Sequence, residues 1–322
     1  MNYIVLDLEW NQCPYGKARE VAALPFEIIE IGAVRLNESR EVTGRFREVV
    51  RPQVYTSLHF RTKEVISLRA MDFEGARSFP EVAADFFAWC RETSAVDTAF
   101  CTWGPADLTE LQRNLSYYSM ESPFPFPLLY FDIQKIFSIA YEDRKSRKSL
   151  EYAVDFLQLP KDVSFHSALS DAIYTSLVMQ KLTNSQILEN SSVDYFRTPR
   201  TRSQEIYLHY STYDKFVSRL FPSRNQAMKD RIVTSMKCPV CGRAASRKIR
   251  WFSAGGHNHF CLAWCPEHGY LKGKIRLRQN ADQQTYAVKT IKPVSEEDAG
   301  LIYEKKEAVQ ARRREHRHSQ EA

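Results

Sequence analysis

The stretch that decides the fold is "YIVLDLEWNQ", residues 3–12. Its first residues are aromatic, β-branched and aliphatic, a composition typical of a buried strand. Side chains alternate between the two faces of a strand, so Asp7 and Glu9 share one face and Leu8 points to the other. Two neighbouring carboxylates on an apolar strand repel each other. The pattern therefore predicts either cations that offset their charge or a solvated edge where the repulsion is weak.

Composition places the chain among globular proteins with a sizeable core. Of its 322 residues, 43% are hydrophobic, 12% aromatic and 26% charged. We find no run near the ~18 apolar residues that a transmembrane helix needs. A strand at the N-terminus leaves no room for a signal peptide. We therefore expect a cytoplasmic protein without a membrane partner.

Charge is distributed unevenly along the chain. Residues 236–322 carry 17 lysines and arginines against 9 aspartates and glutamates, whereas residues 1–235 carry 28 against 30. A basic C-terminal part favours a polyanionic partner, although a charged run is more often a solvated face.

Residues 1–184 are predicted to form one α/β domain, because strand-like and helix-like segments follow one another. The expected strands are 3–9, 28–36, 43–50 and 96–102, and the expected helices are 80–91, 105–118, 148–157 and about 168–183.

The rest of the chain is predicted to contain three further segments. Residues 185–235 look like a polar linker followed by an uncharacterised helical segment. Residues 236–292 form a small unit that contains four of the seven cysteines. Residues 293–322 are a highly charged tail, expected to be frayed helix or disordered.

Two further segments place polar groups in this core-like domain. In "CTWGPADLTEL", Pro105 suits a first helical turn, so Asp107 projects from the start of a helix. In "HSALSDAIYTSLV", His166 precedes Asp171 by five residues, and Asp171 lies beside the apolar stripe of a helix. Converging carboxylates would raise one another's pKa, and divalent cations remove that cost.

Ligands that are all hard oxygens favour Mg²⁺ or Mn²⁺. Two such ions can stabilise both the attacking and the leaving oxygen of an in-line phosphoryl displacement. His166 fits the role of general base, because histidine titrates near working pH.

These motifs resemble the histidine-containing branch of the DEDD exonucleases, the DnaQ-like group. "VLDLEWNQ" resembles their first motif, "TWGPADLTEL" the second and "HSALSDA" the third, and "EIIEIGAV" resembles their second strand. The tryptophan after the D-x-E pair and the Trp-Gly before the second aspartate look most like the KapD and histone-mRNA/siRNA exonuclease subgroup. The resemblance implies an α/β, ribonuclease H-like mixed sheet flanked by helices over residues 1–184.

Carried over residue by residue, the resemblance implies a role for each position. Asp7, Glu9 and Asp171 would hold the metal on the nucleophile side. Asp7 would bridge to a second Mg²⁺ or Mn²⁺, which Asp107 would support through water. His166 would deprotonate the attacking water. The implied reaction removes nucleoside monophosphates from a single-stranded 3′ end, with RNA favoured over DNA by the subgroup.

Two rival functions remain open. The first is a DNA proofreading or repair exonuclease, and the second is a catalytically silent nucleic-acid-binding module on the same scaffold. Relatives often carry a Leu-Thr-Gly-Ile-like stretch that grips the terminal nucleotide, whereas this chain has "TKEVISLRAMD" without a glycine. Leu8 and Trp10 are alternative candidates to stack on a terminal base, and core packing explains Trp10 equally well.

The basic segment "EDRKSRKSLEYAV" offers a candidate phosphate contact. It places four cations just before a helix near the third motif, and such charges are as often incidental. They are Arg144, Lys145, Arg147 and Lys148.

The cysteine unit contains two versions of one five-residue template, "CPVCG" at 238–242 and "CPEHG" at 265–269. Together they predict a structural zinc ion held by three thiolates and one imidazole. The predicted ligands are Cys238, Cys241, Cys265 and His268, with Cys261 as the alternative to Cys265.

This unit resembles a zinc ribbon, a module that commonly binds nucleic acid or protein. After it, "KGKIRLRQ" (272–279) alternates basic and apolar residues. The alternation predicts either a strand with one cationic face or a solvated edge strand protected by lysines.

Overall fold

The computed structural model describes residues 1–66, 68–92 and 97–321. The chain divides into two compact units, Met1–Arg197 and Thr198–Ala322. Within the described ranges, no helix has both the length and the apolar character needed to cross a membrane.

A six-stranded mixed sheet forms the centre of the N-terminal unit. Its strands are β1 (Asn2–Gln12), β2 (Phe26–Leu36), β3 (Val42–Val49), β4 (Thr98–Thr102), β5 (Leu129–Asp132) and β6 (Ser192–Val193). They lie in the order β3-β2-β1-β4-β5-β6, with β1 antiparallel to β2 and parallel to β4. β1 is therefore an inner strand.

Helices cover both faces of this sheet. They are α1 (Phe60–Val65), α2 (Phe79–Arg91), α3 (Ala106–Tyr117), α4 (Ile133–Tyr141), α5 (Leu150–Phe156), α6 (Ala168–Lys181) and α7 (Asn184–Leu188). One core lies between the sheet and α2 and α3, and a second lies between the sheet and α4, α5 and α6. The predicted ribonuclease H-like α/β fold is confirmed.

The two cores explain the alternation along β1. Leu8 packs in the core beneath α2 and α3, whereas Val5 packs in the core beneath α6. Odd-numbered positions of β1, including Asp7 and Glu9, therefore face the side that α6 covers. Trp10 packs against Phe26, with ring centroids 5.7 Å apart. Leu8 is 4% exposed, so for both residues core packing accounts for the side chain.

The C-terminal unit contains a second six-stranded sheet, in which all neighbouring strands are antiparallel. Its strands are β7 (Ile206–His209), β8 (Asp214–Val217), β9 (Ser246–Ser253), β10 (Asn258–Cys265), β11 (Gly269–Gln279) and β12 (Thr285–Pro293). They lie in the order β7-β8-β12-β11-β10-β9. The helices of this unit are α8 (Arg224–Lys229), α9 (Arg231–Thr234) and α10 (Glu296–Glu321).

This organisation differs from the predicted linker and tail. Residues 206–217 form a hairpin whose second strand, β8, pairs with β12, so that Val217 lies opposite Val288. This pairing joins positions about 70 residues apart, which local periodicity does not reveal. The start of the tail is helix α10, whose Ala299 and Ile302 are buried against β9 and β10. The unit is therefore larger than the predicted zinc ribbon.

Smaller differences concern individual elements. α1, α4, α7, β5 and β6 were not expected, because each is short or follows a proline-rich segment. Residue 96, the first residue of a predicted strand, lies outside the described residues.

Candidate functional site

The pairing of β1 with β2 positions the first two carboxylates. Asp7 lies opposite Gly32, and Glu9 lies opposite Glu30. The register shifts immediately after Glu9, and such bulges often occur beside active sites, where they redirect a strand. Because directly paired residues share a face, Gly32 and Glu30 lie on the same side of the sheet as the two carboxylates.

Helix α6 brings the third carboxylate to this side. The helix begins after Ser167, whose hydroxyl accepts a hydrogen bond from the Ser170 N–H, and Asp171 lies in its first turn. Gly32 lets the helix backbone approach β2 closely, because a Cβ at this position would lie 2.1 Å from the backbone carbon of Ala168. One carboxylate oxygen from each of Asp7, Glu9 and Asp171 lies within 4.8 Å of the others. We call these three residues the acidic cluster.

Asp107 lies beside the acidic cluster but is not a member of it. It sits in the first turn of α3 and is 5% exposed. The Leu8 N–H donates a hydrogen bond to Asp107 Oδ1 over 3.2 Å, which ties the start of α3 to β1. The structure therefore places all four predicted carboxylates in one region. Three of them form the acidic cluster, and the fourth, Asp107, is held beside it by a backbone N–H.

Burial and like charges raise the pKa of the four predicted carboxyls, Asp7, Glu9, Asp107 and Asp171. Burial is the largest cause for each of them. The pKa of Glu9 rises to about 8, that of Asp107 to about 7 and that of Asp171 to about 6. The pKa of Asp7 is raised well above its ordinary value by burial and then by Asp107 and Asp171. Such a set of groups favours cation binding, because a divalent ion removes the repulsion.

His166 lies just before α6. Its backbone N–H donates to Asp171 Oδ1 over 3.4 Å, and its half-exposed imidazole lies 3.5 Å from a carboxylate oxygen of Glu151. Its φ of 67° is in the left-handed region, which is uncommon for a residue with a side chain. The backbone of His166 therefore contacts the acidic cluster, whereas its ring lies beside Glu151.

Sequence reasoning missed Glu30 as a residue of this site. Its fully buried carboxylate accepts a hydrogen bond from Arg47 Nε at 2.6 Å and another from the Ala168 N–H at 3.2 Å. Glu30 therefore joins β2 to β3 and to the first residue of α6. The available signal was a charged residue in the middle of the apolar run "EIIEIGAV".

The basic segment before α5 is anchored by its backbone. The Lys148 carbonyl accepts hydrogen bonds from Trp103 Nε1 at 3.3 Å and from Gln134 Nε2 at 2.8 Å. The side chains of Arg144, Lys145 and Arg147 are exposed. No feature of the described residues assigns them a ligand.

A second group of metal-type ligands lies in the C-terminal unit. One ligand atom from each of Cys238, Cys241, Cys265 and His268 lies within 4.8 Å of the others. Cys265 Sγ is 3.7 Å from Cys241 Sγ and 3.6 Å from His268 Nδ1. Burial raises the pKa of the Cys265 thiol. Hydrogen bonds from His268 and from backbone N–H groups outweigh this effect and lower the pKa to about 6. A group that favours the thiolate suits zinc.

The shared template of this group has a conformational reason. Gly242 and Gly269, which end the two five-residue stretches, have φ values of 70° and 71°. Glycine adopts this region without strain, so each stretch can turn and direct both of its ligands to one point. Cys261 is not in the group. It is fully buried in β10, and burial raises the pKa of its thiol to about 12.

Three solved nuclease structures are similar to part of this chain. The nuclease domain of 3′hExo, a DEDDh family member bound to rAMP, is 21% identical over 56% of this chain and 90% of that chain, with a TM-score of 0.48. Cell-death related nuclease 4 (CRN-4) is 18% identical over 60% of this chain and 66% of that chain, with a TM-score of 0.49. The zinc-bound form of the E. coli ExoI–ssDNA complex is 14% identical over 58% and 40% of the two chains, with a TM-score of 0.44. No curated protein sequence matches the chain.

The family comparison covers half of the chain. Residues 19–179 match RNase_T, described as exonuclease, and this stretch contains Asp107, His166 and Asp171. Asp7 and Glu9 precede the matched stretch, but the register of β1 with β2 places them beside it. The chain therefore belongs to the RNase_T exonuclease family.

Proposed function

We propose that this exonuclease hydrolyses nucleic acid from a single-stranded 3′ end, releases nucleoside monophosphates and uses two divalent cations. The observation that carries the proposal is the acidic cluster, in which one carboxylate oxygen from each residue lies within 4.8 Å of the others. In the absence of a cation, three partly buried like charges at this separation cost free energy. We further propose that the N-terminal unit is the catalytic domain.

The donor chemistry fits Mg²⁺ or Mn²⁺. All the ligands offered are carboxylate oxygens, which these hard ions prefer. Ions bound at the cluster would supply positive charge to the attacking and leaving oxygens of the phosphodiester. In this assignment Asp7, Glu9 and Asp171 would hold the first ion, and Asp7 would also reach the second.

Asp107 and His166 take the remaining roles. Asp107 has one carboxylate oxygen hydrogen-bonded to the Leu8 N–H and would support the second ion through water. His166 removes the proton from the attacking water. Its ring is half-exposed and accessible to water, and Glu151 at 3.5 Å can orient the ring.

In the C-terminal unit we propose one structural zinc ion, held by Cys238, Cys241, Cys265 and His268. Three sulfur ligands and one imidazole fill a tetrahedral site and leave no position for substrate. Thiolates that bind zinc also suit a reducing compartment, which supports our proposal of a cytoplasmic location. All described cysteines are free of disulfides.

RNA is the substrate that we favour. The support is the sequence resemblance to the KapD and histone-mRNA/siRNA exonuclease subgroup, and the 2′-hydroxyl is the group that distinguishes the two polymers. The alternatives are a DNA proofreading or repair exonuclease and a catalytically silent binding module.

One experiment separates these functions. Matched single-stranded RNA and DNA oligonucleotides, labelled at the 5′ end, are incubated with the full-length protein and Mg²⁺ or Mn²⁺. We expect a ladder of shortening products, formed faster from RNA. Faster loss of DNA would favour the repair exonuclease. If neither polymer is degraded with either ion, the silent module is the better description.

Two variants test the site in the same assay. Asp7→Asn should lower kcat by about 10³-fold or more, because metal ions contribute several kcal/mol to transition-state stabilisation. Asp162→Asn makes the same change at an exposed position and should retain wild-type turnover. Equal rates for the two variants would contradict the assignment.

A further inference from the structure

Five cations gather on one surface of the C-terminal unit. Three lie on β11, one on β12 and one on α10, and we call the set the cationic face: Lys272, Lys274, Arg276, Lys292 and Lys305. Lys272 is half-buried and the other four are exposed. Alternate residues of β11, such as Ile275 and Leu277, are buried on the opposite side. The β11 cations therefore form a row with a spacing of about 7 Å.

The pairing of the strands brings like charges together. Lys272 lies directly opposite Lys292 in the register of β11 with β12, an arrangement that destabilises a sheet. Burial lowers the pKa of Lys272. The positive charges of Lys292, Lys305 and Lys274 lower this pKa further, whereas the carboxylate of Asp298 raises it. Burial, Arg276 and Lys305 lower the pKa of Lys274. A bound polyanion would relieve this repulsion.

Packing holds part of the cationic face in place. The ammonium of Lys305 lies 4.2 Å from the centroid of the Phe260 ring, and that of Lys272 lies 5.8 Å from it. Such cation–π contacts favour fixed positions for both charges. Ile302, one turn before Lys305, is buried against the sheet and fixes this part of α10. The charges are thus partly pre-organised, which lowers the entropic cost of binding.

Charge is also divided between the two units. Residues 198–322 carry 24 lysines and arginines against 12 aspartates and glutamates, a net charge of +12. Residues 1–197 carry 21 against 27, a net charge of −6. A polyanionic substrate is therefore repelled on average by the unit that contains the acidic cluster and attracted by the other unit.

We propose that the cationic face binds the phosphate backbone of the single-stranded nucleic acid that the enzyme degrades. The inference rests on the proposed function, and it names the part of the chain that holds the substrate. A linear row of evenly spaced cations fits a linear array of evenly spaced phosphates. Phosphate contacts carry no base information, so RNA and DNA should bind alike.

A membrane surface fits this face less well. Peripheral membrane sites combine cations with exposed apolar side chains that enter the lipid. In the strand beside these cations, Phe260 is 8% exposed and Leu262 is fully buried, and the exposed apolar side chains of α10 near Lys305 are Leu301 and Tyr303. Anionic vesicles nevertheless belong in the test, because they share the negative charge.

The test compares two triple variants in full-length protein that also carries Asp7→Asn to prevent hydrolysis. The test variant removes three exposed charges of the cationic face by Lys274→Gln, Arg276→Gln and Lys305→Gln. The control removes three exposed charges elsewhere in the same unit by Lys229→Gln, Arg231→Gln and Lys237→Gln. Binding of a labelled oligonucleotide of about 20 nucleotides is measured by fluorescence anisotropy between about 50 and 200 mM salt.

The slope of log K against log[salt] gives the result. Each phosphate contact to a single strand contributes about −0.7 to this slope. We expect the test variant to bind more weakly with a slope about 2 units less steep, and the control to keep the slope of its parent. If the test variant does not fold, the Lys274→Gln/Arg276→Gln double variant should change the slope by about 1.4 units.

An unchanged slope in the test variant overturns the inference. Loss of binding to phosphatidylserine vesicles, with oligonucleotide binding intact, also overturns it in favour of a lipid partner.

Turnover of a trinucleotide separates this inference from the proposed function. With Asp7 restored, we expect the test variant to hydrolyse a trinucleotide at the wild-type rate and the long oligonucleotide more slowly. If the wild type hydrolyses neither substrate, the proposed function fails, while a changed slope still supports the cationic face. If the wild type hydrolyses both and the slope is unchanged, only the cationic face is refuted.

Discussion

Gly32→Ala should separate α6 from β2 and disturb the acidic cluster without touching any carboxylate. The added Cβ would lie 2.1 Å from the Ala168 carbonyl carbon and from the Leu169 nitrogen, and 2.5 Å from the Ala168 oxygen. Carbon contacts are favourable at about 3.5 Å or more, so the backbones must separate by about 1.4 Å. The obstructing atoms are backbone atoms, so no side-chain rotation can relieve the clash.

The displacement sets the expected magnitudes. Asp171 lies in the same helical turn as Ala168 and moves with it, and a misplacement of about 1 Å can cost about 10²-fold in rate. The 3.2 Å hydrogen bond from the Ala168 N–H to Glu30 would also lengthen beyond bonding distance. Overpacking of this kind costs about 1–3 kcal/mol of folding free energy. We therefore expect kcat to fall by about 10²-fold and the Tm by several degrees.

The assay is turnover of a labelled oligonucleotide, measured across a Mg²⁺ titration, with circular dichroism to follow the fold. Gly300→Ala makes the same substitution in α10, where the Cβ meets no atom within 4 Å, and should leave both kcat and Tm at or above wild type. Wild-type turnover in a folded Gly32→Ala protein would refute the reasoning, because the close approach of α6 would then not position Asp171.

Three further predictions concern stability and metals. The carboxyl pKa values of the acidic cluster and of Asp107 lie above those of the unfolded chain, with Glu9 at about 8. The metal-free protein should therefore lose stability as the pH rises from about 4 through about 8. In thermal scans, Mg²⁺ should raise the Tm more at pH 8 than at pH 5. An equal rise at both pH values would contradict this prediction. Cys265→Ser should abolish the one equivalent of zinc found by metal analysis, whereas Cys261→Ser should retain it, and the reverse would make Cys261 the ligand. Glu30→Ala should lower the free energy of unfolding in denaturant titrations by about 1–3 kcal/mol, because the buried Ala168 N–H loses its acceptor; an unchanged midpoint would argue against that bond.

Much of the N-terminal unit could be predicted because its signals are local. The apolar run of β1 predicts a buried strand, and its paired acidic residues predict a polar site. In the structure, helices α2 and α6 begin directly after Ser78 and Ser167. Helix α6 ends at Lys181, two residues earlier than predicted. The order of motifs along the chain was sufficient for the fold.

The parts that could not be predicted depend on contacts between distant residues. Strand β8 is short and unremarkable in sequence, and its place is set by pairing with β12. Glu30 resembles any charged residue in a strand until β3 and α6 are packed against it. Likewise, the choice between Cys261 and Cys265 follows from the turn at Gly269, which brings Cys265 and His268 to one point.

The distance along the chain between the members of the acidic cluster matters during synthesis. Asp171 follows Glu9 by about 160 residues, so a chain still being translated holds its first two carboxylates long before the third emerges. Because domains generally fold as units once their residues are available, the cluster assembles late. The nascent chain therefore carries no complete acidic cluster until residue 171 and the rest of helix α6 have left the ribosome.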